Sequence, residues 1–397
     1  MSAVRVDTAS HNFIEGNRLQ LLNSGSEYFP ALIAAIDAAL YEVHLEAYIF
    51  AEDTTGRRVA AALARAARRG VAVRVLVDGF GAREFASGLG AELEAGGAEV
   101  MTYRPEAGRT RFRRHRLRRL HRKLAVVDGS MAFVGGINVL DDFDDGKSTS
   151  PRFDYAVRIE GPLVARIHAA MRHVWRLVRW AILGRRPPPP AQLPVAPVIP
   201  GTAQAALLIR DNLRHRHDIE HAYLRAIYSA QREILIANAY FLPGRRFRKA
   251  LMAAAKRGVS VKLLLQGRVE QILQHYATQS LYDRMLSAGV RVFEYEKAFL
   301  HAKVAVIDGH WATVGSSNID PFSLLLAREA NVVVHDTVFA GQLRVSLEAA
   351  IKGAAREIRR EDQRHRSWLA RLAATVAYSL VRILIGVTRY GGKQYKD

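Results

Sequence analysis

One block of this sequence occurs twice, and this repeat limits the possible folds more than any other feature of the chain. Residues 121–138 (HRKLAVVDGSMAFVGGIN) and 301–318 (HAKVAVIDGHWATVGSSN) are identical at ten of eighteen aligned positions. Upstream of each copy, residues 61–77 and 251–265 both contain a small-residue helix, a basic residue with a glycine stop, and a β-branched strand. The repeat therefore predicts two similar α/β sandwiches.

A proline-rich stretch separates the two copies. Four consecutive prolines begin at Pro187, and Pro194, Pro197 and Pro200 follow. Because proline has no backbone N–H and a fixed φ, this stretch is neither a helix interior nor a central strand. We predict a first domain at residues 1–186, an extended linker at 187–200, a second domain at 201–366 and an apolar, basic tail at 367–397.

Charge and cysteine content narrow the classes of function. The formal net charge of +20 predicts an anionic partner, which could be nucleic acid, an anionic membrane or a phosphate-bearing substrate. The absence of cysteine excludes disulfides, Cys-ligated zinc, iron–sulfur clusters and thiol nucleophiles. Because the chain also lacks a phosphate-binding Gly-x-x-x-x-Gly-Lys loop and a His-Glu-x-x-His zinc motif, nucleotide and zinc sites have no support and we expect no cofactor. The acidic run from Asp141 to Asp145 is the remaining metal candidate, although such a run is usually a solvated loop.

Each copy of the repeat begins with a His-x-Lys pair before an apolar, β-branched stretch. The two-residue period of a strand places His121 and Lys123 on one face, and His301 and Lys303 are in the same relation. The aspartates that follow have the opposite parity and precede a glycine as in a hairpin turn. The candidate catalytic set is His121, Lys123, Asp128, His301, Lys303 and Asp308. Within it, we expect the two aspartates to brace or orient rather than to touch the reacting atom.

These residue types suit phosphoryl chemistry. A neutral imidazole can attack phosphorus, a protonated one can supply a proton to the leaving oxygen, and lysines stabilise charge on the other phosphate oxygens. Farther along each copy, Asn138, Ser316 and Asn318 offer amide or hydroxyl donors to a phosphate. The first copy has Gly136 where the second has Ser316, so we expect the first half to lack one such hydroxyl.

A carboxylate is available to orient each histidine. Asp154 follows His121 by 33 residues and Glu329 follows His301 by 28, and each stands at the start of an apolar strand. A nucleophilic histidine needs such a partner to fix its tautomer. A single His-x-Lys on a strand is usually only a polar edge, but two copies with Asp, Gly and Asn at identical offsets favour an active site.

The doubled His-x-Lys-x4-Asp pattern resembles the phospholipase D superfamily. Four further segments make the chain, from about residue 15 to 345, similar to bacterial cardiolipin synthases of the subtype that lacks two N-terminal transmembrane helices. They are residues 46–50 (EAYIF), 154–162 (DYAVRIEGP), 237–244 (ANAYFLPG) and 311–318 (WATVGSSN). The resemblance implies two tandem phospholipase D-like α/β/α sandwich domains, related by a pseudo-twofold axis, with one shared active site.

The resemblance also implies a metal-independent transfer through a covalent phosphatidyl-histidine. On this interpretation His121 attacks the phosphate of one phospholipid while His301 protonates the departing head group. His301 then deprotonates the glycerol hydroxyl of a phosphatidylglycerol, which attacks the intermediate. Lys123 and Lys303 would hold the phosphate oxygens. The residues leave open which histidine is the nucleophile and whether the phosphatidyl donor is phosphatidylglycerol or phosphatidylethanolamine.

Three stretches favour contact with an anionic phospholipid membrane. Nine of the fifteen residues from Arg109 to Lys123 are basic and none is acidic. Leu163 to Leu183 is predicted to be a basic amphipathic helix, either at a membrane surface or inside the domain. The tail from Trp368 to Tyr390 is apolar but contains three arginines, so it could lie in the head-group region, pack on the body or span the bilayer.

We therefore expect a peripheral enzyme on the cytoplasmic face of the membrane, active as a monomer. The first dozen residues contain no continuous apolar run that would suggest a signal peptide or an N-terminal membrane helix. Three alternatives remain: hydrolysis of phospholipid to phosphatidic acid, a nucleic-acid phosphodiesterase, and a non-catalytic basic scaffold. The Trp-containing helix and apolar tail disfavour nucleic acid as the partner, and the two intact His-x-Lys pairs disfavour the scaffold.

Overall fold

A computed structural model describes residues 13–105, 118–143, 150–184, 199–211, 214–269, 272–320, 323 and 327–364, together with six single residues between 374 and 383. The first half contains seven strands and four helices in these residues. They are β1 (Ile14–Asn23), α1 (Ser24–Asp37), β2 (Glu42–Ala47), α2 (Thr54–Arg68), β3 (Ala72–Asp78), α3 (Leu89–Ala95), β4 (Glu99–Tyr103), β5 (Leu124–Val127), β6 (Met131–Gly135), β7 (Tyr155–Glu160) and α4 (Leu163–Leu183).

The second half repeats this order and extends it. Its elements are β8 (Ala203–Arg210), α5 (Asp218–Ser229), β9 (Glu233–Asn238), α6 (Arg245–Lys256), β10 (Ser260–Gln266), α7 (Ile272–Gln279), α8 (Tyr282–Ser287), β11 (Arg291–Tyr295), β12 (Lys303–Ile307), β13 (Trp311–Gly315), β14 (Glu329–His335), α9 (Thr337–Ala354), β15 (Ala355–Ile358) and α10 (Arg360–Arg364). The linker and most of the tail lie outside the described residues, so the domain boundaries stay a prediction.

The repeated helix–glycine–strand unit forms as its sequence indicates. The α2 helix starts where the Asp53 carboxylate accepts a hydrogen bond from Gly56 N at 2.7 Å, which satisfies one free N–H of the first turn. Both α2 and α6 are alanine-rich and bury one apolar face. Gly70 and Gly258 then end the two units at φ +88° and +93°, a left-handed conformation that favours glycine. The stop signals therefore lie where the repeat predicted them.

The two halves have the same sheet topology and join into one continuous sheet. Among the described strands the order is β15-β11-β10-β9-β12-β13-β14-β8-β1-β7-β6-β5-β2-β3-β4. In each half three neighbouring strands are parallel. A hairpin follows, β5–β6 or β12–β13, and its first strand pairs antiparallel with β2 or β9. Antiparallel pairing of β1 with β8 joins the halves at the centre.

Three large apolar clusters show how the halves are held together. One lies under α1, α2 and α3 of the first half, and one lies under α5 and α6 of the second. The third is shared, because inward-facing residues of β5 to β7 pack with those of β12 to β14 between α4 and α9. The sheet of each half thus has helices on both faces, and the predicted α/β/α sandwich of each half is confirmed. Successive side chains of β5 and of β12 point alternately into the shared core and into an outer core. Close packing on both faces therefore fixes the position of both hairpins.

The predicted amphipathic helix has the bounds of α4, and its apolar face is mostly occupied. Ile167 and Met171 lie in the shared core, and Val174 and Trp175 form a smaller cluster with strands of the first half. Only near its C-terminal end does α4 expose apolar side chains, of which Trp180 is 54% exposed. The helix is therefore mainly an interior domain helix. No helix within the described ranges is long and apolar enough to cross a membrane.

Candidate active site

The two His-x-Lys motifs are brought together by backbone hydrogen bonds that cross between the halves. The segment before β5 runs beside the segment before β14, where His121 N donates to Arg328 O at 3.0 Å. The segment before β12 runs in the same way beside the segment before β7, where His301 N donates to Phe153 O at 2.8 Å. The residue after Arg328 is Glu329, and the residue after Phe153 is Asp154. Each histidine is therefore held next to a carboxylate of the opposite half.

The first of the two crossed pairs joins His121 to Glu329. Nδ1 of His121 lies 3.1 Å from Oε2 and 3.0 Å from Oε1 of Glu329, whose side chain is fully buried. The Ser316 hydroxyl donates to the same Oε2 at 2.6 Å and accepts from Ala330 N at 3.0 Å. The carboxylate therefore has a fixed orientation and holds the imidazole of the other half.

The second crossed pair joins His301 to Asp154. Nδ1 of His301 lies 2.7 Å from Oδ2 of Asp154. The other oxygen of Asp154, Oδ1, accepts a hydrogen bond from the backbone N–H of Tyr155 at 2.8 Å. Gly136 occupies the place of Ser316, and a Cβ there would stand only 2.4 Å and 2.6 Å from the two carboxylate oxygens of Asp154. Glycine is needed here for the close approach of the carboxylate.

Both imidazoles keep Nε2 available to a substrate. A carboxylate acceptor at Nδ1 selects the tautomer that carries its proton there. No hydrogen bond from a described residue to either Nε2 is present. The histidine side chains are 16% and 11% exposed, so part of each is accessible from solvent.

The two lysines surround the histidines with positive charge. Lys123 Nζ donates to the carbonyl oxygen of His121 at 2.7 Å and lies 5.2 Å from the ring centroid of Tyr48. Lys303 Nζ donates to the carbonyl oxygen of His301 and lies 3.8 Å from Oδ2 of Asp154. Because Nδ1 of His301 donates to Asp154, we assign no hydrogen bond from Lys303 to that nitrogen, although they are 2.8 Å apart.

Burial and mutual repulsion control the protonation of this cluster. Burial lowers the pKa of His121 against the opposing charge of Glu329, and burial together with the Lys303 ammonium holds the pKa of His301 well below its usual value. Burial lowers the pKa of Lys123 to about 7 and raises the pKa of Asp154 to about 6. Lys303 also lowers the pKa of His121, so the residues of the two halves act electrostatically as one site.

Comparison with known proteins agrees with this geometry. A family model described as "Cardiolipin synthase, PLD-like domain" matches residues 32–175 and 223–351. The chain belongs to this phospholipase D-like family. The cardiolipin synthase B of Shigella flexneri is 40% identical over 378 residues, which cover 93% of this chain and 88% of that protein. The cardiolipin synthase B of Escherichia coli K12 is 39% identical with the same coverage.

Solved structures of distant sequence have the same fold. The phosphatidylserine synthase of Haemophilus influenzae Rd KW20 superposes with a TM-score of 0.70 at 14% identity, covering 97% of this chain and 98% of that one. A polyphosphate kinase from Porphyromonas gingivalis superposes with a TM-score of 0.58 at 16% identity, covering 94% of this chain and 54% of that one. The predicted recognition of the family and of its doubled fold is confirmed.

Within this phospholipase D-like site the motif aspartates lie away from the histidines. The Asp128 carboxylate accepts from the backbone N–H groups of Leu40, Tyr41 and Glu42 at 2.7 to 2.9 Å, at the far end of β5. Asp308 accepts from residues 231, 232 and 233 in the same way at the far end of β12. Their place in the catalytic set is corrected: these aspartates brace the start of β2 and β9, as their strand parity indicated.

The expected phosphate donors are placed unequally. Asn138 and Asn318 lie at the end of each hairpin, where their side-chain oxygens accept from the backbone at Ile49 and Tyr240 at 3.3 and 3.4 Å. Neither amide NH₂ has a hydrogen-bond partner among the described residues, so each is left as a donor. Ser316 differs, because its proton is used on Glu329. Ser316 is therefore better described as a residue that positions the carboxylate than as a phosphate donor.

Several residues of the site were missed by sequence reasoning. Tyr48 contacts the His121 ring edge-to-face, with centroids 4.7 Å apart. Arg122, inside the first His-x-Lys motif, forms a buried double hydrogen bond to Glu46 at 2.6 and 2.8 Å. In the second half Ala302 and Ala237 take these two positions. An arginine aligned with an alanine inside an otherwise identical motif was the signal that could have drawn attention to this pair.

The ends of β3 and β10 also support the site. Asp78 accepts from Leu120 N at 2.7 Å and Gln266 accepts from Leu300 N at 3.1 Å, in each case the residue before the histidine. The acidic run is only partly described, and there the Asp142 carboxylate accepts from Gly25 N at 2.7 Å. Among the described residues no group of three or more His, Asp and Glu side chains could hold a metal ion.

Proposed function

We propose that this chain is a cardiolipin synthase that transfers a phosphatidyl group to the glycerol hydroxyl of phosphatidylglycerol. The phosphatidyl donor is phosphatidylglycerol or phosphatidylethanolamine. The observation that carries the proposal is the pair of crossed contacts, His121 with Glu329 and His301 with Asp154, which bring two oriented imidazoles and their two lysines into one cluster. The 40% identity to a cardiolipin synthase B over most of both chains supports the lipid substrate.

In the first step Nε2 of His121 attacks the phosphorus of the donor lipid. A P–N bond forms, the P–O bond to the head group breaks, and His301 gives a proton to the leaving oxygen. The pKa of His301 is well below its usual value in the free protein because of burial and Lys303. An anionic phosphodiester beside the ring opposes that effect and favours the protonated form that the step needs.

In the second step the neutral His301 removes the proton from a glycerol hydroxyl of phosphatidylglycerol. The hydroxyl oxygen attacks phosphorus, the P–N bond to His121 breaks, and cardiolipin is released with both histidines restored. Lys123 and Lys303, with the amides of Asn138 and Asn318, stabilise the charge on the phosphate oxygens that are not exchanged. Glu329 and Asp154 keep each imidazole in the tautomer with Nε2 free.

The substrates place the enzyme at a membrane. The net charge of +20 and the apolar side chains exposed at the end of α4 support binding to an anionic phospholipid surface. We propose a peripheral enzyme on the cytoplasmic face that acts as a monomer, since one chain supplies the complete set of paired residues. The basic run before His121 lies mostly outside the described residues and remains a predicted part of this surface.

The test is to incubate purified protein with phosphatidylglycerol vesicles in excess chelator and to resolve the lipid products. His121→Ala and His301→Ala are assayed in parallel, and each protein is also given single-stranded DNA. We expect cardiolipin and released glycerol from the unmodified protein and neither product from the variants. Phosphatidic acid without cardiolipin would identify a hydrolase, and degraded DNA with intact lipid would overturn the proposal.

A further inference from the structure

Four half-buried arginines lie on the His121 side of the site and have no assigned role. Arg104 directly follows β4, Arg118 and Arg119 precede the histidine, and Arg328 precedes β14. We call these four residues the arginine cluster. Its second and third members are the described end of the basic run that precedes the histidine.

Hydrogen bonds and ring contacts hold the arginine cluster together next to the histidine. Arg328 N donates to Arg119 O at 2.7 Å, and Arg328 O accepts from His121 N. Arg328 Nε donates to the hydroxyl of Tyr103 at 3.3 Å. The Arg104 guanidinium lies 5.4 Å from the ring centroid of the same tyrosine. One tyrosine side chain therefore contacts two of the four guanidiniums.

The carboxylate of Asp78 faces the arginine cluster, but its oxygens are already shared with the backbone. Its Oδ1 lies 4.0 Å from Nη1 of Arg119. The same carboxylate accepts from the backbone N–H groups of Leu120, Phe80 and Gly81 at 2.7 to 3.3 Å. Asp78 therefore steadies one arginine and cannot neutralise four.

Arg104 shows that the arginine cluster is suited to an anion. Its Nη1 is buried and has no hydrogen-bond partner among the residues that the structure describes. Burial, together with repulsion from Arg118, Arg328 and Arg119, lowers the pKa of Arg104. An unpaired buried donor and the repulsion of neighbouring guanidiniums both cost free energy. A phosphate group relieves both costs, because guanidinium N–H pairs match its oxygens.

The His301 side of the site has no such cluster at the equivalent positions. The register of β3 with β4 and of β10 with β11, and the bridges before the two histidines, define these positions. In place of Arg104, Arg118, Arg119 and Arg328 they hold Glu296, Ala298, Phe299 and Phe153. The Phe153 ring stacks on Tyr295 with centroids 5.2 Å apart, where Arg328 instead donates to Tyr103.

The arginines that the His301 side does contain point to other partners. Arg268 donates to the carbonyl oxygens of Glu296 and Lys297, both at 2.9 Å. The Arg152 guanidinium lies 5.5 Å from the ring centroid of Phe299. The arginine cluster therefore breaks the pseudo-twofold symmetry of the site and offers an anion site on one side.

The proposed reaction involves two phosphates. One reacts between the histidines, and the other belongs to the phosphatidylglycerol that accepts the phosphatidyl group. Because a single glycerol joins the two phosphates in the product, the second phosphate must lie close to the first. The arginine cluster is in such a place, since Arg328 is hydrogen-bonded through its backbone to His121.

We propose that the arginine cluster binds the phosphodiester of the acceptor phosphatidylglycerol, the phosphate that does not react. The inference rests on the proposed function and deepens it by adding a second phosphate site to the one between the histidines. The cluster selects an acceptor that carries an anionic phosphate beside its glycerol. Water and neutral alcohols lack that group, so the cluster favours transfer to a lipid over hydrolysis.

The experiment compares two soluble acceptors in the full-length protein, with phosphatidylglycerol vesicles as the donor. Labelled glycerophosphoglycerol has the phosphate and glycerol of the acceptor lipid but no acyl chains, and labelled glycerol lacks the phosphate. Arg104→Gln removes one charge of the cluster, and Arg104→Glu copies Glu296 of the other side. Arg58→Gln, at an exposed position of α2, is the control with the same loss of charge.

We expect KM for glycerophosphoglycerol to rise about tenfold in Arg104→Gln and further in Arg104→Glu, because each loses a charged hydrogen bond. Product formation with glycerol should stay within about twofold of the unmodified protein in both, which also shows that they are folded. Arg58→Gln should match the unmodified protein with both acceptors.

Two results would overturn the assignment. One is a KM for glycerophosphoglycerol that neither Arg104 variant changes. The other is weaker sedimentation of the Arg104 variants with phosphatidylglycerol vesicles while that KM stays the same, which would assign the arginines to the membrane surface.

A binding measurement separates failure of this inference from failure of the proposed function. Glycerophosphoglycerol is titrated calorimetrically into His121→Ala, with and without Arg104→Glu, so that no turnover is needed. We expect about tenfold weaker binding in the double variant, and equal binding would overturn the assignment. If that difference is present but the unmodified protein forms no product with either acceptor, the proposed function has failed and the anion site stands.

Discussion

The His121 imidazole belongs to the first half of the chain, yet the carboxylate that orients it, Glu329, belongs to the second, with 3.1 Å between Nδ1 and Oε2. His301 and Asp154 repeat this relationship in the opposite direction at 2.7 Å. Neither motif histidine is paired with a carboxylate of its own half. The duplicated fold is therefore one catalytic unit rather than two copies of a site.

The crossed pairs predict the effect of removing each carboxylate. We expect Glu329→Gln and Asp154→Asn each to lower kcat by about 10²- to 10⁴-fold, because the amide no longer favours the tautomer with Nε2 free. Lipid-product rates at saturating phosphatidylglycerol measure the loss. Trapping of a phosphatidyl-enzyme separates the two variants: Glu329→Gln should mainly slow its formation, whereas Asp154→Asn should slow both its formation, where His301 gives a proton, and its breakdown, where His301 removes one. Near-normal kcat in either variant would contradict the orienting role.

The exchange of glycine for serine between the halves makes a second prediction. Gly136→Ala would place a Cβ within 2.6 Å of both Asp154 oxygens, so we expect Asp154 to move and kcat to fall about 10²-fold or more. Ser316→Ala removes one hydrogen bond to Glu329 and should cost roughly tenfold. Circular dichroism should show both variants folded. A larger loss in Ser316→Ala than in Gly136→Ala would contradict the close-approach argument.

The pKa shifts predict a narrow pH range for kcat/KM, which reports the free enzyme. Asp154, with its pKa raised to about 6, is protonated below that pH and then no longer serves as an anionic partner for His301. Lys123, with its pKa lowered to about 7, loses its charge above that pH and binds phosphate less well. We therefore expect kcat/KM to fall on both sides of this interval. Lys123→Arg, which stays charged, should remove the alkaline fall while keeping the acid one.

The bracing aspartates should affect stability more than chemistry. Asp308→Ala removes the acceptor of three backbone N–H groups, and we expect a loss of about 1–3 kcal/mol in the free energy of unfolding. Burial tends to raise the pKa of Asp308, but the backbone hydrogen bonds outweigh this effect, so the pKa is lowered in the folded protein. Its stabilisation is thus present above the unfolded pKa and lost as pH falls through the folded one. Urea unfolding at pH 7 and pH 3 should show a difference between variant and unmodified protein that narrows in acid.

The buried Arg122–Glu46 pair has an internal control in the other half. Arg122→Ala leaves Glu46 buried without its partner, and we expect a loss of about 3–5 kcal/mol in stability. The double change Arg122→Ala with Glu46→Ala copies the Ala302 and Ala237 of the second half and should recover much of that loss. Thermal unfolding of the single and double variants measures the coupling. Equal destabilisation of the single and double variants would show that the loss does not come from leaving Glu46 unpaired.

The sequence by itself determined the doubled α/β fold, the two His-x-Lys pairs and the identity of the orienting carboxylates. These depend on local patterns along the chain: strand parity, glycine stops after α2 and α6, equal offsets of the motif residues in both copies, and the position of each carboxylate at the start of an apolar strand. Parity alone also indicated that Asp128 and Asp308 point away from the reacting groups.

Only the tertiary structure decided which partner each residue has. The spacing of Asp154 after His121 and of Glu329 after His301 contains no information about the crossing, because backbone bridges between the halves, at Arg328 and Phe153, create it. The same holds for the hydroxyl of Ser316, which donates to Glu329. Such contacts join residues far apart in the chain, and shared burial between two sheets fixes them.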